Sequence, residues 1–308
     1  MNPPIIIHIG LPKTATTTLQ KHLFARHSEI DCIGQPTSII SEKNLHMLHV
    51  ITRQDSLSFD DGFDRFLENT VNPILRACKR RATVLSEESF STGASFPRSV
   101  PRREIASRLL RLFPEARILM VIRNQVDLLC SWYRQSLRHV DAPTQSLEEW
   151  FDSQWQEKLY GSVLPLLNYD LLRQLYEDTF GPDRVKIMLF ESFTQHQEQF
   201  IDELSCFSRI NAQESYTLLN RRTENVTVTE QEIALRRAAK HLPAHKLISR
   251  ATPLWVKAAL VRLAAHGRRV QPTLPTEWNA RTADYYRESN RQLATSTNLP
   301  LAEHEYPL

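Results

Sequence analysis

Short apolar stretches, each ending in a turn or in polar residues, recur along the chain and predict buried β-strands. A run of β-branched residues occupies positions 5–9 and is stopped by the turn at residues 10–12. A similar stretch occupies residues 83–85, a second one ends at Ile122, and a third one ends in Glu191. Apolar runs of this kind are typical of strands that are covered on both faces.

Segments with helical periodicity alternate with these strands. One helix is expected to begin near Thr14, another follows Asn124, and an amphipathic helix covers residues 169–180. The alternation predicts an α/β fold of three layers, α/β/α, with a mainly parallel central sheet and a helical carboxyl-terminal region. The chain, residues 1–308, is long enough to form this fold as one domain.

The junction between the first strand and its helix has the composition of an anion-binding turn. Lys13 stands at the mouth of the turn, and four threonines that can cap or line the helix start follow it: Thr14, Thr16, Thr17 and Thr18. Unpaired backbone N–H groups and the positive end of the helix dipole attract phosphate-like anions at such a start. A ligand-free turn with a capped helix is the alternative, and the lysine favours the anion site.

A Walker-type loop is disfavoured by the spacing of the same residues. That loop requires glycine, four residues, and then Gly-Lys-Ser/Thr. Lys13 instead follows Gly10 by three positions, with no second glycine before the lysine. The turn therefore fits a shorter phosphate group better than a metal-bound triphosphate.

Residues 12–17 resemble the 5′-phosphosulfate loop of sulfotransferases that use 3′-phosphoadenosine 5′-phosphosulfate (PAPS). That loop has the pattern Pro-Lys-Ser/Thr-Gly-Thr-Thr, and this sequence matches five of its six positions. Ala15 stands where the family usually has glycine, which matters if the backbone there needs a positive φ. The resemblance implies a P-loop NTPase-like fold, with Lys13, Ala15 and the four threonines around the 5′-phosphate of PAPS.

A second phosphate-binding candidate follows another strand. Arg123 comes directly after Ile122, and ligands of open α/β sheets bind at the carboxyl edge, so Lys13 and Arg123 face one crevice if their strands are neighbours. Ser131 lies eight residues further on, a little over two helical turns, so its hydroxyl could share a phosphate with Arg123. This spacing matches the family's 3′-phosphate site, with Gln125 where the family usually has proline.

A carboxylate at a third strand end is the candidate general base. Ser86, Glu87 and Glu88 follow the stretch 83–85. Sulfuryl transfer needs a base for the acceptor's proton, and a carboxylate whose pKa is raised in a crevice suits that role. A Ser-x-Glu pattern resembling that of carbohydrate sulfotransferases favours Glu88, with Glu87 as the alternative. The cytosolic small-molecule branch uses histidine, and none of the eleven histidines here is singled out by its position.

Charge is distributed unevenly, although the net charge is only +3. Residues 233–276 contain nine lysines and arginines and no acidic residue, and part of this segment predicts an amphipathic basic helix. We interpret the segment as a basic helical cap or insertion. Its basic face could be solvated, could bind an anionic or glycan acceptor, or could make peripheral contact with an anionic membrane. Nucleic-acid binding is disfavoured, because no stacking aromatics interleave with the charges.

Composition excludes several classes of protein. Seven glycines and 17 prolines in 308 residues argue against low complexity, and no repeat at solenoid spacing is present. No stretch reaches about 18 apolar residues, and the amino terminus lacks the features of a signal peptide, so a cytoplasmic protein is expected. The four cysteines form no Cys-x-x-Cys pair and are expected to be buried free thiols.

The combined prediction is transfer of a sulfuryl group from PAPS to an acceptor hydroxyl, leaving adenosine 3′,5′-bisphosphate (PAP). The resemblance favours a bacterial enzyme with a carbohydrate or glycolipid acceptor, and a small-molecule alcohol or amine is the next choice. It also places Arg221 and Arg222 in a basic loop near the 3′-phosphate or adenine. No metal is expected, because the donor carries no polyphosphate tail. A kinase-like phosphotransferase and a non-catalytic nucleotide-binding regulatory protein are the alternatives.

Overall fold

A five-stranded parallel sheet lies at the centre of the protein, with the strand order β2-β3-β1-β4-β5. The strands are β1 (Ile5–His8), β2 (Ile30–Gly34), β3 (Ala82–Ser86), β4 (Arg117–Ile122) and β5 (Val185–Leu189). The structure is a computed structural model, and it describes residues 3–34, 40–93, 99–137, 146–156, 162–220 and 274–308.

Helices connect the strands and continue beyond the last one. The first nine are α1 (Thr16–Thr18, continued by a π-helical segment, Leu19–Phe24), α2 (Glu42–Arg53), α3 (Ser56–Phe66, continued by π-helical Leu67–Val71), α4 (Asn72–Ala77), α5 (Ser89–Thr92), α6 (Arg102–Leu112), α7 (Gln125–Ser136), α8 (Leu147–Gln156) and α9 (Tyr169–Phe180). The other α-helices described are α10 (Phe190–Gln195), α11 (Gln197–Ser208), α12 (Ala212–Leu219) and α13 (Thr276–Thr297). Short 3-10 segments cover Leu164–Leu167, Pro182–Arg184 and Ala302–His304.

The two faces of the sheet are buried in two separate cores, which confirms the three-layer α/β/α fold. Successive side chains of a strand point to opposite faces. Ile6 accordingly belongs to the core that packs against α1, α11 and α12, whereas Ile7 belongs to the larger core under α6, α9 and α13. Because both cores are apolar, the strands carry the continuous hydrophobic runs that the sequence shows.

Several boundaries differ from those expected. The strand β2 was not predicted, because this short edge strand contains Asp31, whose carboxylate accepts hydrogen bonds from two backbone N–H groups, and Cys32. Glu191 lies in the first turn of α10 and not at the end of a strand. The expectation of buried thiols is wrong for Cys206, which is exposed, and Cys32 and Cys78 are only partly buried.

The basic segment at 233–276 lies outside the described residues except for its last three positions, so its interpretation as a cap or insertion stays a prediction. The single-domain organisation of residues 1–308 stays a prediction as well. Among the residues that the structure describes, none of the helices combines the length and the apolar character needed to span a bilayer.

A glycine at the end of β2 gives a test of the sheet. Gly34 has a φ of 124°, and a β carbon there would overlap the backbone oxygen of Ser86 on β3. We expect Gly34→Ala to lower the free energy of unfolding by about 2–4 kcal/mol, from an unfavourable φ together with overpacking against backbone. Urea unfolding would measure the change.

Gly62 supplies the matched control, because it lies inside α3 and a β carbon there would meet nothing within 4 Å. Gly62→Ala is expected to raise the free energy of unfolding by about 0.5–1 kcal/mol. If Gly34→Ala were as stable as the wild type, the close approach of β2 to β3 at this position would be wrong.

Candidate active site

The ends of β1, β3 and β4 meet at one edge of the sheet. β1 lies between β3 and β4, and its pairing with β4 continues past the strand, since the Val121 N–H donates to the Gly10 carbonyl at 3.0 Å. On the other side, the Glu87 N–H donates to the His8 carbonyl at 3.1 Å. The strands that lead to Lys13 and Arg123 are therefore neighbours, as the sequence argument required.

The turn after β1 has an unusual backbone. Gly10, Lys13 and Ala15 have φ values of 85°, 69° and 63°. Ala15 thus occupies the left-handed conformation for which glycine is the usual residue, at a cost of about 1–2 kcal/mol for a residue with a β carbon. Because Ala15 is the N-cap of α1, the helix begins at Thr16 and not near Thr14 as predicted.

Two threonines hold this turn together. The hydroxyls of Thr14 and Thr16 both donate to the Leu11 carbonyl at 2.7 Å. Thr14, Thr16 and Thr18 are buried, whereas the Thr17 side chain is exposed at the helix start. In this state Thr14 and Thr16 use their hydroxyl protons to shape the turn, so Thr17 is the threonine whose side chain faces outward.

Glu88 lies directly over the turn. A β carbon at Gly10 would be 3.3 Å from the Glu88 α carbon and 3.4 Å from its γ carbon, so a glycine is needed for this approach. Burial, and then the charge of Glu87, raise the pKa of Glu88 to about 7, while the neighbouring Thr16 side chain and the charge of Lys13 oppose the rise. The structure therefore brings Lys13, Thr16 and Glu88 together.

Glu87 has a different role from its neighbour. Its Oε1 accepts hydrogen bonds from the backbone N–H of Ser89 at 3.0 Å and from the Ser89 hydroxyl at 2.9 Å. These bonds stabilise the start of α5. Glu87 is thus engaged in local structure, whereas the carboxylate of Glu88 lies beside the lysine.

Arg123 reaches from the end of β4 toward the same turn. Its Nη1 donates to the Lys13 carbonyl at 3.4 Å, and its guanidinium lies 4.5 Å from the centre of the Phe190 ring. Its Nε is buried and has no hydrogen-bond partner among the described residues. Half-buried guanidinium groups with unpaired donors are suited to bind an anion.

Ser131 lies two turns into α7, and a second arginine accompanies it. Ser131 and Arg134 are three residues apart and so share one face of the helix. The Nε of Arg134 is also buried without a partner in the described part of the chain, and burial, followed by the charge of Arg123, lowers the pKa of Arg134. The sequence analysis gave Arg134 no role, although its spacing from Ser131 could have indicated one.

Two hydrogen bonds hold the backbone at Arg123 and Asn124, and a third one holds the carboxylate that takes part in the second. The Tyr169 hydroxyl donates to the Arg123 carbonyl at 2.6 Å. The next N–H, that of Asn124, donates to the Glu191 carboxylate at 2.9 Å, and the Tyr306 hydroxyl donates to the same carboxylate at 3.0 Å. Sequence analysis missed these residues because they are distant in the chain and follow no local motif.

The sheet also contains a histidine, which was not among the predicted site residues. His8 is buried in the sheet, where its Nδ1 is 2.8 Å from the Ser86 hydroxyl and where burial lowers its pKa to about 3. This environment suits a neutral structural histidine better than a base. Arg221 and Arg222 lie outside the described residues. In the described part of the chain, no three His, Cys, Asp or Glu residues are grouped as metal ligands would be.

Comparison with known proteins identifies the family. A family model described as the sulfotransferase family matches residues 4–214, more than half of the chain, and the protein therefore belongs to the sulfotransferase family of enzymes. Among curated proteins, none matches the chain.

Two solved structures are similar over nearly the whole chain. A sulfotransferase from Alicyclobacillus acidocaldarius is 15% identical, with a TM-score of 0.59 and coverage of 99% of both chains. Mouse sulfotransferase SULT7A1, solved in complex with PAP, is 10% identical, with a TM-score of 0.52 and coverage of 99% of this chain and 89% of that one. At these identities the likeness is one of fold.

The raised pKa of Glu88 predicts a pH-dependent stability. Between its usual value of 4.5 and about 7, the folded protein binds a proton that the unfolded chain releases. The stability that Glu88 contributes is therefore complete below about pH 4.5 and is lost as the pH rises through about 7. We expect the free energy of unfolding of the wild type, measured in urea, to fall relative to that of Glu88→Gln over this range.

Glu87→Gln is the control for this measurement. Because the charge of Glu87 contributes to the raised pKa of Glu88, this variant should retain the fall but show a smaller one. Parallel pH profiles for the wild type and Glu88→Gln would contradict the assigned environment of Glu88.

Proposed function

We propose that the protein is a PAPS-dependent sulfotransferase whose reaction takes place at the edge formed by β1, β3 and β4. One observation carries the proposal: Glu88, with a pKa of about 7, lies over the turn that presents Lys13. A lysine for the donor's phosphate and a carboxylate that can accept a proton near neutral pH are the two groups that this transfer needs at one place.

The donor binds with its two phosphates on neighbouring strand ends. The 5′-phosphosulfate lies in the turn, held by Lys13, by backbone N–H groups at the start of α1 and by the threonines, with Thr17 outermost. The 3′-phosphate lies at α7 between Arg123, Ser131 and Arg134. The Nε atoms of the two arginines have no partner in the described part of the chain, and this supports the placement, because a dianion there would balance two charges that otherwise repel each other.

The chemistry is an in-line transfer. The carboxylate of Glu88 takes the proton of the acceptor hydroxyl, whose oxygen forms a new bond to sulfur while the bond between sulfur and the 5′-phosphate oxygen breaks. PAP leaves with the electron pair of that bond, and the ammonium group of Lys13 stabilises the charge on the leaving oxygen. The proton thus goes to Glu88, the sulfuryl group to the acceptor oxygen and the electron pair to PAP, and none of these steps uses a metal.

The acceptor is a hydroxyl on a carbohydrate or glycolipid. The support is the Ser86-Glu87-Glu88 sequence at the end of β3, which resembles the pattern of carbohydrate sulfotransferases. A small alcohol or amine is the second choice. Incubating the enzyme with labelled PAPS and fractionated cell extract, and then identifying the sulfated product, would decide between them.

Two other functions fit the site less well. A kinase-like phosphotransferase would need the second glycine before the lysine that this turn lacks. A non-catalytic nucleotide-binding protein would have no use for a desolvated carboxylate beside the lysine, because burial of Glu88 destabilises its charged form.

Calorimetry of PAP binding tests the donor site. In buffer without magnesium, we expect the wild type to bind PAP and to prefer it to magnesium-ATP. Lys13→Ala and Arg123→Ala should each weaken PAP binding by about 1.5–3 kcal/mol, the range for a lost charge-assisted hydrogen bond. Lys186→Ala, on the edge strand β5 at an ion pair with Glu203, is the control and should bind normally. Normal PAP binding by both site variants would contradict the placement of the donor.

Turnover tests Glu88. We expect Glu88→Gln to bind PAP normally but to lose about 100-fold or more in kcat, the usual contribution of a positioned general base. The wild-type kcat/KM should rise with pH through about 7, because only the deprotonated carboxylate accepts the proton. A Glu88→Gln enzyme with full activity, or one whose pH profile matches that of the wild type, would assign the base elsewhere.

A further inference from the structure

The turn that presents Arg123 is joined to the carboxyl-terminal helix by a buried pair of amides. Gln125, the first residue of α7, donates from Nε2 to Oδ1 of Asn290 at 2.7 Å, and Asn290 donates from Nδ2 back to Oε1 of Gln125 at 3.2 Å. Both side chains are completely buried. A buried reciprocal pair of this kind fixes the relative position of α7 and α13, since either amide would be costly to leave unpaired.

The last residues of the chain hold the same turn. Asn124 caps α7 through its Oδ1 and donates from Nδ2 to the carbonyls of Glu305 at 2.7 Å and His304 at 3.3 Å. Asn290 donates to the carbonyl of Pro307 at 2.8 Å. The tail, residues 301–308, is thus hydrogen-bonded both to the start of α7 and to α13.

Tyr306 completes these contacts through a buried carboxylate. Its hydroxyl donates to one oxygen of Glu191, and the other oxygen accepts the N–H of Asn124. Only 3% of the Tyr306 surface and 8% of the Glu191 surface are exposed, so water competes little for these bonds. The peptide group after Arg123 is therefore oriented from the end of the chain, while Tyr169 holds the Arg123 carbonyl.

We propose that the tail, residues 301–308, is the positioning element for Arg123, and that Tyr306 acts on the 3′-phosphate site through Glu191 and Asn124. A proline at position 125 would fix the backbone of this turn locally, because proline at the first helical position has a fixed φ. Here the amide pair and the tail fix the turn through long-range contacts instead. The side chain of Gln125 is hydrogen-bonded to Asn290, and contacts with residues 301–308 make the turn rigid. The inference rests on the proposed function, because it assumes that the ligand is a 3′-phosphorylated nucleotide whose 3′-phosphate is bound by Arg123.

Tyr306→Phe removes one hydroxyl and touches no ligand. We expect it to weaken PAP binding by about threefold to tenfold, the effect of one hydrogen bond, and to leave binding of adenosine 5′-monophosphate unchanged, because that nucleotide lacks the 3′-phosphate. Calorimetry with both nucleotides measures the ratio of the two affinities. A change in this ratio cannot arise from loss of stability alone.

Tyr286→Phe is the matched control. Tyr286 is a completely buried tyrosine on α13, and its hydroxyl donates to the Leu164 carbonyl at 2.8 Å and not to Glu191 or Asn124. The control should lower the melting temperature about as much as Tyr306→Phe while keeping the wild-type ratio of affinities. Equal losses for both nucleotides, or an unchanged ratio in Tyr306→Phe, would reduce the tail to a structural role and overturn the proposal.

A second pair of variants tests whether a proline at position 125 can replace the tail in fixing the turn. Asn124 has φ −45° and ψ 126°, an extended conformation that a following proline tolerates. In a background that combines Gln125→Pro with Asn290→Leu, so that neither amide of the buried pair is left unpaired, the turn is fixed locally. Adding Tyr306→Phe to this background should no longer change the ratio, and an undiminished change would overturn the positioning role. If the wild type bound both nucleotides equally, the 3′-phosphate site itself would be wrong, which separates failure of the proposed function from failure of this inference.

Discussion

The parallel pairing of β1 between β3 and β4 is the constraint on which the site depends. Backbone hydrogen bonds continue this pairing beyond the strands on both sides, to Gly10 on one and to Glu87 on the other. They bring the lysine turn, the carboxylate pair and Arg123 to one edge, although these segments are about 35 to 110 residues apart in the chain. A shift of one residue would turn alternate side chains to the opposite core and would also separate the three polar groups.

Electrostatic effects at this edge follow from burial. Glu88 keeps its proton to a higher pH than an exposed carboxyl group, because desolvation outweighs the favourable charge of Lys13. Arg123 and Arg134 each have a buried Nε without a partner in the described residues. While Glu88 is protonated, the edge carries more positive charge than its residue types alone would suggest, which favours an anionic ligand.

Four of the strands and the polar residues at their ends could be predicted because both depend on local sequence. Apolar runs end where Lys13, Glu88 and Arg123 begin, and the position of each polar group follows from the parallel sheet. Because Ala15 stands where the family usually has glycine, the sequence indicated that a positive φ could occur there. It could not predict whether φ is positive, since a buried turn can impose a φ that the residue itself disfavours. The edge strand β2 was missed because it lacks an uninterrupted apolar run.

The contacts around Arg123 could not be predicted, because no short-range pattern connects residues 124, 191 and 306. Their partnership exists only once β5 has paired with β4 and the carboxyl-terminal helix has packed against α7. A proline would stiffen the turn in the unfolded chain as well as in the folded one, whereas Gln125 and Tyr306 stiffen it only in the folded state. The geometry of the turn at Arg123 is therefore coupled to the docking of the last helix, and any ligand that requires Arg123 in place must also stabilise that docking.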